Sequence, residues 1–237
     1  MFKQLFMNIS EKEKTEAVEN LFGHSAPNTN FFLMVTLSVL MATLGLLANN
    51  SAVIVGSMLI APILYPILGL SMGIIMSDHT LVFKSFMTMA KAVVLCVIVA
   101  AGTTLLFSSQ LEELTFEIFA RTEPSLLSMA IGIVAGLAAA FALVKPKMSE
   151  TLPGVAISVA LVPPIAVVGI GLATFDMSVM MGALLLFLVN IIGVVIAAAV
   201  VFSMMNFYVK REIAKAVVQK EEKEIFKEAE KVKEKII

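Results

Sequence analysis

The sequence has one cysteine, two histidines and no tryptophan in 237 residues, and only 15% of it is charged. Each shortage excludes something. A lone Cys96 cannot form an intrachain disulfide, and its setting, "VVLCVIVAAG", reads as a place for a small hydrophobe rather than a reactive thiol. His24 and His79 have no second ligand at metal-binding spacing, so neither a metal nor another cofactor is expected. The "GHS" at 23–25 reads as a loop. No G-x-S-x-G, H-E-x-x-H or Walker loop occurs, which argues against an enzyme and against ATP hydrolysis. A net charge of −1 offers no basis for binding nucleic acid.

What is present is apolar. The chain is 59% hydrophobic, with a mean hydropathy of +0.97. A soluble fold of this length must cover its exterior with polar groups and has no use for so much apolar surface. Charge is also segregated: between Phe31 and Tyr208 it falls almost wholly in short intervals between long apolar runs. The pattern is that of an all-α, multi-pass membrane helix bundle. The N-terminus, "MFKQLFMNISEKEKTEAVENLF", is too charged for a cleavable signal.

Three segments follow from this pattern: an amphipathic N-terminal stretch at 1–30, a membrane domain at 31–208 and a charged C-terminal helix at 209–237. In the first, Ser10 and Glu13 fit a capping box, and Val18, Leu21 and Phe22 share one face. The second holds six apolar stretches, at 31–48, 51–76, 86–107, 125–144, 152–175 and 178–208, each long enough or nearly so to cross a bilayer. In the third, Val218, Ile225, Val232 with Ala229 and Ile236 make a short apolar stripe, broken by Glu222. It reads first as a solvated extension of the last span and second as a weak oligomerising coiled coil, which leaves a homo-oligomer open.

Lysines set the expected orientation. Lys3, Lys12, Lys14, Lys84, the "KPK" at 145–147 and Lys210–Arg211 would face the cytoplasm of a cell membrane. The stretch 108–123, with four glutamates against one arginine, would face outward. Six crossings satisfy all of these and put both termini inside. A re-entrant hairpin at 51–76 would place "KPK" outside, so a full crossing with a broken middle fits better.

That second span carries Pro62 and Pro66, and the fifth carries Pro163 and Pro164. A proline removes a backbone donor and clashes one turn back, at about 3 kcal/mol in a helix interior. "SMLIAPILYPILGLSMG" and "SVALVPPIAVVGIGLA" align with Ser57 on Ser158 and Pro62 on Pro163. They are the middle members of two three-helix groups, which three crossings would relate as inverted repeats. Paired, interrupted spans in corresponding halves point to a transport site near the midplane. The site expected there is Ser57, Pro62, Tyr65, Pro66, Ser158, Pro163 and Pro164, with Ser71 adding a hydroxyl. Kinks made only for close packing are the plain alternative. Gly132, Gly136 and Ala140 read as a helix-packing ridge.

"NNSAVIVGSMLIAPILYPILGLSMG" and "GVAISVALVPPIAVVGIGLA" resemble the two signature spans of a prokaryotic membrane family catalogued as domain of unknown function 389, the hydrophobic-domain family. The resemblance covers roughly 31–208 and implies an integral membrane protein. Many members carry a soluble domain ahead of the membrane part; with only residues 1–30 before it, this chain is expected to lack one. The family implies no substrate.

No acidic residue lies inside an expected span, which argues against a proton pump and leaves facilitated diffusion, a channel or ion binding by backbone carbonyls. Lys91 either faces an anionic substrate or snorkels to the surface beside Lys84. Asn190 either bonds another helix or lines the cavity. Asn49, Asn50 and Ser51 form a turn and N-cap into the second span, or shape an outer mouth. The leading expectation is a transporter or channel-like protein for a small solute or ion. Its rivals are a membrane scaffold or sensor and, behind it, a lipid-modifying or intramembrane enzyme.

Overall fold

The computed structural model describes residues 9–107, 114–145 and 161–236; the side chains of residues 228 and 230–236 are not described. Within these residues the secondary structure is helical, with no strand. The helices are α1 (Glu11–His24), α2 (Thr29–Leu47), α3 (Ser51–Ile60), α4 (Leu64–Ile75) and α5 (His79–Phe107). Then come α6 (Phe116–Phe119), α7 (Leu126–Val144), α8 (Val162–Ala173), α9 (Met177–Met204) and α10 (Arg211–Ile236). Four of them, α2, α5, α7 and α9, are long and apolar enough to cross a membrane. The second expected span is divided between α3 and α4, with Ala61 extended and Pro62 in the gap. The fifth is represented by α8; the part before residue 161, including Ser158, lies outside the described residues.

The first helix forms as its sequence directs. The Ser10 hydroxyl accepts from the Glu13 N–H, and the Glu13 carboxylate accepts from the Ser10 N–H at 2.7 Å. Val18, Leu21 and Phe22 are buried against the bundle. The helix does not stop at the expected loop. Gly23 and His24 are its last residues, and the His24 ring stacks on Tyr65 with centroids 4.9 Å apart. An aromatic partner and the Asn20 carbonyl, 2.8 Å from His24 Nδ1, accompany the two residues by which the helix enters that stretch.

The C-terminal helix departs from expectation too. It does not extend the last span. Asn206 adopts a left-handed conformation (φ 58°), a short 3-10 turn follows at Phe207–Lys210, and α10 sets off in a new direction against α1. Of its expected apolar stripe, Val218 packs on the core, joined there by Ala214 and Val217, which the stripe did not include. Ala229 is exposed, and the side chains of Val232 and Ile236 are outside the described set.

The membrane helices pair closely where glycine removes a side chain. α7 and α9 run side by side in the same direction, with Gly132 against the Asn190 backbone and Gly136 against Val194. A Cβ on Gly136 would sit 2.7 Å from the Val194 Cα. This is the packing ridge the spacing of Gly132, Gly136 and Ala140 predicts. Cys96 is buried in the same core. Facing away from the core are Leu33, Ile98, Val134 and Leu185, all exposed, as a lipid-facing surface requires.

Candidate functional site

Three tight turns organise the bundle, and all three use one device. "GLLANNSAVI" (45–54), "GIIMSDHTLV" (73–82) and "GLATFDMSVM" (171–180) each begin with a glycine and place a left-handed residue four positions on. Those residues are Asn49 (φ 51°), Ser77 (φ 50°) and Phe175 (φ 57°). The residue after each closes the old helix with its N–H and opens the new one with its side chain. Asp78 N–H donates to the Gly73 carbonyl at 3.1 Å, and Asp78 Oδ1 accepts from Thr80 and Leu81 N–H. Asp176 does the same with Gly171, Ser178 and Val179. Asn50 does it with Gly45, Ala52 and Val53, so the cap read from the sequence is present. Glycine is needed because the next helix crosses directly over it. A Cβ on Gly73 would lie 2.9 Å from the Val82 nitrogen, and one on Gly171 2.8 Å from the Met180 nitrogen.

These turns fix the register of the two proline regions. With Gly73 on Gly171 and Asp78 on Asp176, α4 (12 residues) matches α8 (12 residues) end to end, and Pro66 falls on Pro164. The serine–proline alignment, which set Pro62 on Pro163, is therefore displaced by three residues in the folded chain. Pro66 and Pro164 both stand in the first turn of their helices, where the missing N–H has no carbonyl to meet. Pro62 sits ahead of α4 in the gap, while Pro163 is already inside α8.

The two short helices exchange neighbours. α4 packs on α5, the helix that follows it, and on α9. α8 packs on α9, the helix that follows it, and on α5. α8 also lies against α2 and touches α3. The two turns lie at opposite ends of the bundle: Asp78 meets Arg211 just beyond the end of α9, and Asp176 caps its start about 40 Å away.

The expected site residues divide by environment. Ser57 is fully buried and engaged: its hydroxyl donates to the Ile54 carbonyl at 2.6 Å, and its own carbonyl accepts from Ser38 Oγ at 2.7 Å. Ser38 thus closes one carbonyl at the end of α3, a partner that no sequence spacing announced. Ser71 is buried with its hydroxyl on the Ile67 carbonyl. Pro66, Pro163 and Pro164 are buried; Pro62 and Tyr65 are half-buried. Pro62 lines an open groove of about 520 Å³ with His24, Asn28, Phe31 and Met34. Asn190 is buried and hydrogen-bonded. Asn50 and Ser51 are exposed at their turn. Lys91 is exposed on α5, away from the interruption, beside a different cavity.

One feature at the α4–α5 turn was not legible in the sequence. Asp78 is only 2% exposed and binds two cations of α10, Arg211 Nε at 2.7 Å and Lys215 Nζ at 3.3 Å. Burial alone would raise its pKa; hydrogen bonds from Arg211, Leu81, Lys215 and Thr80 outweigh it and hold the carboxyl at about 2. An aspartate before a helix signals a cap, but nothing local signals cations 130 residues away.

Among curated proteins, an uncharacterized protein of Methanocaldococcus jannaschii is 32% identical over 201 residues, which is 81% of this chain and 61% of the relative. The chain thus spans about 61% of that relative's length. No solved structure matches. A family model matches residues 58–205, a stretch that runs from the end of α3 to the end of α9 and holds both proline regions and two of the three turns. The chain belongs to the family described as Domain of unknown function (DUF389).

Proposed function

We propose that this integral membrane protein is a transporter or channel-like protein for a small solute or ion, built from two three-crossing halves of opposite orientation. The carrying observation is the exchange of neighbours between α4 and α8. Two equal short helices, each ending in the same glycine–left-handed–aspartate turn, run in opposite directions and each packs on the long helix of the other half. That packing fits inverted repeats, an arrangement used for alternating access, and α8 reaches the interrupted crossing through α3. In this reading the chain crosses a cell membrane six times with both termini cytoplasmic, and α3 with α4 forms one interrupted crossing.

The gap at Ala61–Ile63, with Ser57, Tyr65, Pro66, Ser158, Pro163 and Pro164 around the two interruptions, is the site proposed for the solute. Helix ends there present main-chain groups that lipid cannot satisfy, so protein or water must. Ser38 answers one of them in this conformation. Opening would release the Ser57 carbonyl to a solute.

Reconstituted liposomes test this directly. Flux of a panel of ions and small polar solutes is expected for the wild-type chain and is reduced in a Pro62→Ala, Pro163→Ala variant. In a Cys96→Ala background, cysteines at Ser57, Tyr65 and Ser158 should react with water-borne thiol reagents. No flux above empty liposomes together with unreactive cysteines at all three positions rejects the reading.

A further inference from the structure

A second cavity, of about 290 Å³, lies away from the interruption, where the end of α1 and the side of α10 meet the early turns of α5. Its walls are apolar, from Phe22, Pro27, Phe83 and Met87. Two hydroxyls set it apart. Buried serines and threonines elsewhere in the described residues, from Ser25 to Thr104, all make a hydrogen bond. Ser85 and Thr88, 4% and 5% exposed, make none with the described residues, and both line this cavity. No enclosed side-chain oxygen among the described residues lacks a partner, so these two hydroxyls are open to the cavity, where a ligand oxygen can meet them.

The charged groups at the cavity are two lysines and two glutamates. Lys84 and Glu222 pair at 2.8 Å and join α5 to α10 across its edge. Lys91 and Glu221 line the same cavity and have no ion pair or hydrogen bond among the described residues. Lys91 is one turn beyond Thr88 on α5 and next to the surface where Phe86 and Val94 are exposed. Among the described residues the cavity therefore offers one unpaired cation with two hydroxyls, one unpaired carboxylate, and apolar walls continuous with a lipid-facing helix.

We propose that this cavity holds the headgroup of a zwitterionic phospholipid, with Ser85, Thr88 and Lys91 on the phosphate and Glu221 on the ammonium. Basic pockets at the polar ends of membrane helices hold lipid headgroup phosphates, and here Lys91 of α5 supplies the basic group. The unpaired Glu221 selects for a headgroup that also carries a positive charge, since an anionic lipid would leave two negative groups facing each other. The apolar walls select for a lipid over free phosphate. The site does not depend on transport.

The full chain, purified in mild detergent, would be titrated with dioleoyl phosphatidylethanolamine, dioleoyl phosphatidylglycerol or inorganic phosphate, with bound molecules counted by native mass spectrometry. One phosphatidylethanolamine per chain is expected. Lys91→Gln should weaken it about tenfold, the effect of one charge-assisted hydrogen bond, and Lys91→Arg should retain it. Glu221→Gln should erase the preference over phosphatidylglycerol while phosphate contact persists. Both side chains stand at the cavity rather than in the core, so unfolding temperatures should match wild type and report folding separately. Wild-type affinity in Lys91→Gln, equal binding of the two lipids by wild type, or inorganic phosphate displacing the lipid at equal concentration would each overturn the proposal.

Discussion

The α4–α5 and α8–α9 turns share a backbone and differ in surroundings. Asp78 and Asp176 make the same two cap hydrogen bonds to N–H groups two and three residues on. Asp78 is sealed under α10 with Arg211 and Lys215, whereas Asp176 is half-buried and carries no ion pair among the described residues. Local geometry is thus repeated and tertiary load is not. The turn itself needs only a close crossing, a left-handed residue and a cap. What α10 adds at one end is an anchor tying the C-terminal helix to the bundle.

The largest expected effect tests the shared part. Gly73→Val and Gly171→Val should each destabilise the protein by about 3 kcal/mol, because the obstacle is a neighbouring helix's backbone and cannot rotate away. Thermal unfolding in detergent measures this, and a benign Gly171→Val alone would show that the two turns are not equivalent. Next comes the difference between them. Asp78→Ala should lose about 2 kcal/mol, a helix cap together with two ion pairs whose cations are partly solvated, against about 1 kcal/mol for Asp176→Ala, which loses only a cap. Equal losses would remove the anchoring role of α10.

The same contrast extends to pH. Asp78 is held below its ordinary value, 3.8, at about 2. A depressed carboxylate stabilises fully above its unfolded pKa, and that contribution fades as pH falls toward the folded one. Wild type should therefore lose stability relative to Asp78→Asn between about pH 4 and pH 2, read from unfolding midpoints across that range; parallel curves would contradict it. The smallest effect returns to the shared backbone. Ser77→Gly and Phe175→Gly should each stabilise by about 0.5–1 kcal/mol, since glycine adopts the left-handed conformation without strain. Phe175 is exposed, so little packing opposes the gain there.

Much of the scaffold could be read from local signals. The Ser10 capping box, the Asn50 cap, the Gly132–Gly136 ridge and the burial of Cys96 each depend on residues within a turn or two, or on apolar surroundings. The left-handed turns were harder. Serine and phenylalanine at Ser77 and Phe175 do not advertise such a conformation, and only Gly73 and Gly171, read with the cap five residues later, could have found them. The serine–proline alignment and the turn alignment differ by three residues, because Ser57 and Pro62 lie before the gap while the turn sets its match after it.

Sequence alone determined that the chain is built of apolar helices that fit a bilayer, since hydropathy is a property of the residues themselves. The exchange of partners between α4 and α8, the bond from Ser38 to Ser57 and the seal over Asp78 were decided by tertiary structure. Each joins groups on different helices, and in a membrane, where lipid is as apolar as the helices, close packing and polar partners choose the neighbours rather than hydrophobicity.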